Sequence, residues 1–179
     1  HLGKKLIKEF NLDEGKTPQH FAIGFKEVWE VDNDKHSPGD VVHTMGWPLK
    51  GGTSGGGFLY HFDNNRIAVG LIVDLNYSNP SHSPLQEFQQ FKQHRSIKQY
   101  LESGKRVSYG ARAITKGGIN SLVKMEFDGG MIVGCDAGTL NPSKIKGSHC
   151  ALQSGILAAE YINKVLSEEN CDFYDLFKS

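Results

Sequence analysis

The chain has 179 residues, enough to bury about 70% of its unfolded surface in one core or two subdomains, and its 20 basic residues balance its 20 acidic ones. No long run of either sign occurs, which argues against nucleic acid as a partner. Cys135, Cys150 and Cys171 are odd in number and lack C-x-x-C spacing, so they exclude a disulfide scaffold and a zinc or iron–sulfur site built from this chain alone.

In chain order, Leu2, Leu6, Ile7 and Phe10 share one face with lysines opposite, as in the tail of an amphipathic helix. The opening lacks an initiator methionine and falls inside an element, which suggests a fragment or a processed product. Gln19–Val31 alternates apolar and polar residues as a half-buried strand with a bulge would. Asp32–Asp40 is a turn, and Val41–Trp47 is a second strand, so the spacing predicts a hairpin or meander.

Gly51–Gly57, GGTSGGG, lacks the Lys-Ser/Thr and the helix of a phosphate loop, because Phe58, Leu59 and Tyr60 continue as a strand. It is either a flexible hairpin connection or a backbone bare enough for a flat ligand to lie against. Phe58–Phe62 and Arg66–Leu75 form a strand pair around the Asp63–Asn65 turn. After a loop, Leu85–Leu101 reads as one amphipathic helix covering a sheet, with His94 and Arg95 on its solvated side. Arg106–Ala113 is a further strand, punctuated by Gly117–Gly118.

Met131–Val133 is a continuous apolar run between glycines, read as a central strand of a parallel sheet. Asp136, Gly138, Asn141 and Pro142 then impose a turn-rich loop, and a helix runs from about Gly147 to Leu166 with Ala151, Gly155, Ala158 and Ile162 on one face. Lys144 and Lys146 precede that helix, where its dipole disfavours cations unless an anion lies between, so they are either part of an anion or cofactor site or two solvated surface lysines. The aromatic cluster Phe173–Phe177 begins a helix or touches a membrane surface. No stretch approaches the roughly 18 apolar residues needed to cross a bilayer. No G-x-S-x-G elbow, H-E-x-x-H or His/Cys metal spacing is present.

Four stretches in order, GWPL at 46–49, GGGFLYHF at 55–62, GKRVSYGARA at 104–113 and GCDAGTLNPSKIKGSHCALQSGILAAE at 134–160, resemble the electron transfer flavoprotein–ubiquinone oxidoreductase family over nearly the whole chain. The resemblance implies a mostly antiparallel quinone-binding sheet domain with a covering helix, then a strand-loop-helix of a Rossmann-like FAD domain. It divides the chain into residues 1–18, the end of an FAD-domain helix and a linker; 19–127, the ubiquinone-binding domain; and 128–179, the C-terminal part of the FAD-binding domain.

The same resemblance implies that electrons from reduced electron transfer flavoprotein pass through a [4Fe–4S] cluster and FAD to ubiquinone, at the inner mitochondrial or bacterial membrane. The dinucleotide fingerprint and cluster ligands of the family lie outside these residues, so the isolated piece is expected to be inactive. Gly55 and Gly56 fall on the paired glycines of the family's quinone site, with Phe58 and Leu59 as its apolar walls. Ser54 stands where the family commonly has Tyr. Gly134, Cys135, Gly138, Asn141, Lys146, Gly147 and Ser148 fall on the flavin site. Alternatives are another flavoprotein of the same plan, such as a geranylgeranyl reductase or aromatic hydroxylase, or a structural domain inert by itself.

Overall fold

Apolar residues spaced by two along four successive strands dictate a sheet with one buried face, and a computed structural model, which describes residues 2–141 and 147–167, has that sheet within residues 21–115. Its strands are β1 (Phe21–Glu30), β2 (Val41–Met45), β3 (Gly55–Phe62), β4 (Arg66–Asp74) and β5 (Lys105–Thr115), in the order β2-β3-β4-β1-β5. β2, β3 and β4 form an antiparallel meander, as the pattern predicts. β1 and β2 do not form a hairpin: β1 pairs with β4, from Ala22 opposite Asp74 to Glu30 opposite Arg66. That register is unbroken, so the bulge expected in β1 is absent from its ladder with β4. The β3–β4 turn relies on Asn64 and Asn65, at φ +62° and +54°, a left-handed region that Asn tolerates better than most residues.

The covering helix is two helices. α2 (Pro84–Gln93) is capped by the Ser83 hydroxyl, which accepts from Gln86 N–H, and α3 (Arg95–Leu101) follows after a break at His94, where ψ is 136°. His94 Nδ1 accepts from Ser96 N–H at 3.3 Å, so this exposed histidine starts the second helix instead of lying along one continuous helix. Phe88, Phe91, Ile97 and Leu101 from the helices pack on Leu59, Ile67, Val69, Leu71 and Val73 of the sheet.

Residues 1–20 and 115–179 form a second compact unit. It contains α1 (Leu2–Glu9), an antiparallel pair of two-residue strands, β6 (Glu126–Phe127) and β7 (Gly130–Met131), and α4 (Ser148–Ser167). Its core is Ile7, Leu12, Val123, Met125, Ile132, Ala137 and Ala158. The run Met131–Val133 is therefore not a continuous buried strand of a parallel sheet. Ile132 N–H still donates to Met125 C=O at 2.7 Å, but Val133 is exposed and Gly134, at φ +66°, turns the chain into a 3-10 turn over Gly134–Ala137. On α4, Ala158 is buried and Ala151 half-buried, whereas Ile162 and Leu166 of the expected apolar face are exposed.

Candidate functional site

Two regions gather the sequence-derived candidates, one in each unit. In the sheet unit, Gly55, Gly56 and Gly57 are not a loose connection but the start of β3, with Gly56 and Gly57 laddered on both sides. A Cβ on Gly55 would overlap Ile72 C=O and approach Leu49 Cδ1 at 2.5 Å; one on Gly56 would overlap Thr44 C=O, and one on Gly57 the Phe91 ring. The bare backbone is thus demanded by the packing of the sheet itself.

Alternation along β3 separates the four quinone candidates. Gly55 and Leu59 face the helices, where Leu59 is 1% exposed in the core, while Gly56 and Phe58 face the opposite side. There Phe58 stacks on Tyr60 with centroids 4.7 Å apart, and Tyr60 Oη lies 3.3 Å from His43 Nε2. Burial pushes the Tyr60 phenol up. Leu49, outside the candidate set, is the side chain in contact with the Gly55 position on the helix side.

On that helix face lies a buried charge cluster that binary patterning does not reveal. Glu27 accepts from Lys92 Nζ at 2.8 Å, Arg106 Nη1 at 3.1 Å and Trp29 Nε1 at 2.8 Å. Burial alone would raise its pKa, but the hydrogen bonds from Lys92, Trp29 and Arg106, with the charge of Lys92, outweigh burial and hold the carboxyl below its ordinary value. Lys92, which patterning places on the solvated side of its helix, is buried.

In the second unit, a cleft of about 860 Å³ opens beside the start of α4, lined by Gly117, Gly118, Gly138, Thr139, Asn141 and Cys150 among others. This volume is in the range of cofactor pockets. Gly118 and Gly138 adopt φ +73° and +93°, and a Cβ at Gly117 would overlap Ser121 Oγ. Thr139 Oγ1 is buried without a hydrogen-bond partner among the described residues. The first N–H groups of α4, at Ser148 and the residues after it, lie beyond the reach of the helix's own carbonyls.

Of the flavin-site candidates, Gly138 and Asn141 line the cleft, and Ser148 begins α4 directly before the lining residues His149 and Cys150. Gly134 and Cys135 lie behind it: Gly134 N–H donates to Ser154 Oγ at 3.0 Å, and Cys135 Sγ accepts from Thr115 N–H at 3.5 Å. Gly147 C=O accepts from Ala151 N–H. Lys146, with Pro142 and Lys144, falls outside the described residues, as do Cys171 and the Phe173–Phe177 cluster. The lining residues Gly117, Gly118 and Thr139 were not among the candidates; the adjacent glycines read as punctuation, and only the overlap at Gly117 gives them a further reason. An orphaned hydroxyl, the N–H groups at the start of a helix and a roomy, largely apolar wall are a donor set that suits a planar, polar-edged ring such as a flavin.

Among the described residues, no three His, Cys, Asp or Glu are grouped to hold a metal ion, and no helix is long and apolar enough to cross a membrane. A family model described as "ETF-QO, ubiquinone-binding" matches residues 21–114, the bounds of the sheet unit. An electron transfer flavoprotein–ubiquinone oxidoreductase of Pseudomonas aeruginosa is 57% identical, with all of this chain and 34% of that protein covered. The human mitochondrial protein of that name is 50% identical over 95% of this chain and 28% of its own length. The chain thus spans about a third of the length of these relatives.

Among solved structures, a geranylgeranyl bacteriochlorophyll reductase-like protein of Thermoplasma acidophilum superposes with TM-score 0.65 at 16% identity, covering 83% of this chain and 35% of that one. A flavin-dependent brominase superposes with TM-score 0.62 at 15% identity, covering 96% and 44%. At such identities the likeness is one of fold: mixed α/β with a mostly antiparallel sheet.

Proposed function

The chain belongs to the electron transfer flavoprotein–ubiquinone oxidoreductase family, and from that premise we propose that it supplies the quinone-binding sheet and the closing part of the flavin pocket of a longer oxidoreductase. The observation that carries this reading is the family model's match to residues 21–114, which coincides with the five-stranded unit. In the proposal, residues 19–127 form the quinone domain, and residues 1–18 with 128–179 belong to the FAD domain.

FAD, when bound, would supply the redox chemistry, and by resemblance its electrons would come from reduced electron transfer flavoprotein by way of a [4Fe–4S] cluster held outside these residues. The chain's own residues position the ring. Gly138 and Gly118 turn the backbone along the cleft, Asn141 lines it, the N–H groups of Ser148, His149 and Cys150 face its helix-start end, and Thr139 Oγ1 is available to one polar edge. Gly134 and Cys135 act one layer back, through Ser154 and Thr115, by fixing where the loop meets α4. Lys146 and Gly147 complete the helix start by resemblance.

At the quinone end, Gly55 and Gly56 would bring bare backbone to a flat head group, with apolar contact from Leu49 on the helix face of the sheet, while Phe58 lines the opposite face. Leu59 supports this end from within the core. Val41, Met45 and Trp47, all exposed on or just after β2, add apolar surface suited to peripheral membrane attachment at the bacterial or mitochondrial inner membrane.

The test is the full-length protein that carries this chain. Purified, it is expected to show flavin absorption and an iron–sulfur signal, and to reduce ubiquinone at the expense of reduced electron transfer flavoprotein. Absence of both chromophores overturns the proposal. The isolated 179 residues are expected to retain little or no flavin.

A further inference from the structure

We propose that His82 and Glu87 form the polar end of the quinone site, where they hold one oxygen of the head group; this rests on the quinone-site reading above. The two residues flank the Ser83 cap of α2. His82 Nδ1 lies 3.6 Å from Glu87 Oε1, and the side chains are 6% and 14% exposed. Both carry a second polar atom, His82 Nε2 and Glu87 Oε2, that is buried with no hydrogen-bond partner among the described residues. Burying such atoms unpaired is costly, so a pair of them in one contact calls for a polar occupant.

The register of α2 on the sheet fixes where this pair sits. Phe91 occupies the space a Gly57 side chain would need, Phe88 stacks on Phe25, and Lys92 reaches Glu27. Phe25 and Glu27 stand opposite Leu71 and Val69 on β4, which in turn stand opposite Gly57 and Leu59. Numbers therefore rise together along α2 and β3. Glu87 is one turn before Phe91 on the same helix face, a displacement of about 6 Å, and Gly55 is two residues before Gly57, a displacement of about 6.6 Å. That register sets Glu87 toward the Gly55 end of β3.

The chain also returns there. Gly55 pairs with Val73, Asp74 N–H donates to Ser54 C=O at 2.9 Å, and the segment from Leu75 leads through Tyr77 to His82. The Tyr77 and His82 rings are 4.7 Å apart, and Tyr77 and Leu49, the latter in contact with the Gly55 position, pack on the same apolar core.

The chemistry fits both redox forms of a quinone. A quinone oxygen only accepts; with both ring nitrogens protonated, His82 faces Glu87 Oε1 through Nδ1–H and donates to that oxygen from Nε2–H. A hydroquinone hydroxyl donates, and Glu87 Oε2 can accept from it, while Glu87 Oε1 faces and orients the imidazole.

The experiment uses the full-length protein with a short-chain ubiquinone as acceptor, comparing wild type, His82→Leu and Glu87→Gln for apparent KM, kcat, flavin content and melting temperature. Both variants are expected to raise KM for the quinone about three- to tenfold, His82→Leu by removing the donor and Glu87→Gln by removing the charge that holds the doubly protonated ring, with flavin content unchanged. Unchanged KM in folded variants overturns the proposal and leaves the orphaned atoms to a trapped water. Should His82→Leu not fold, the near-isosteric Glu87→Gln decides alone. A wild-type protein that does not reduce quinone defeats the quinone-site reading itself, a result distinct from a wild type that turns over while the variants match it.

Discussion

Glu27 and His61 are two side chains whose burial runs against their chemistry, and both lead to measurable consequences. Glu27 is held by three donors, so removing one leaves a buried carboxylate partly uncompensated. Lys92→Ala is expected to destabilise the protein by about 3 kcal/mol in urea unfolding, whereas an exposed pair such as Lys98–Glu102 should be worth well under about 1 kcal/mol. His61 is buried; its Nδ1 accepts from Ser37 N–H at 3.1 Å, and its ring meets Tyr100 edge-on. Burial lowers its pKa from the ordinary 6.5, and His36 adds to the effect while Asp40 opposes it. The unfolded chain therefore takes up the proton first. Stability is full above about pH 6.5 and falls as the pH drops through the folded-state value. His61→Gln should flatten that part of the pH–stability profile; an unchanged slope between neutral and mildly acidic pH would contradict the assignment.

Strands and helices of the sheet unit were legible because their apolar residues recur at period two or follow a helical stripe: β1, β3, β4 and the α2–α3 segment all stand where the pattern puts them. The misses have local causes. The break at His94 depends on a side chain capping the next helix, which periodicity cannot register, and the β1–β4 pairing is a long-range choice that adjacent strand signals do not encode. Met131–Val133 looked like a buried strand from its composition, yet Gly134 takes the backbone out of the ladder. The glycines at 55–57 were legible as special but not as strand, because their reason lies in neighbours from β2, β4 and α2. Gly57→Ala should accordingly undock α2 by displacing Phe91, seen as a cooperative stability loss of about 1–3 kcal/mol. Leu59→Ala, in the same strand, should cost about 2–5 kcal/mol through a cavity. Gly→Val changes at 55 or 56 would likewise read sheet integrity before any ligand contact. Substitutions at His82, Glu87 and Phe58 separate the two effects because none of these positions requires a missing Cβ.

The chain spans about a third of the length of its relatives, and in the proposal it contributes to two sites, one for a quinone and one for a flavin. Its sheet unit coincides with the family's ubiquinone-binding region, and its other unit holds a cleft at a helix start, while the relatives it matches are about three times longer. Family membership was legible in four motifs spread from Gly46 to Glu160, since their order and spacing are far more specific than any one glycine cluster. The division of labour within each motif was not. Leu59 proved to be core, Gly134 and Cys135 hold the loop from behind, and Thr139 reaches the cleft unannounced. The most direct measurement of the central claim is photolabelling of the full-length protein with an azido-substituted ubiquinone, followed by peptide mapping. Label is expected within residues 21–114, concentrated near Leu49–Phe58 and Tyr77–Glu87 and suppressed by excess ubiquinone. Label that excess ubiquinone displaces but that falls wholly outside residues 21–114 would contradict it.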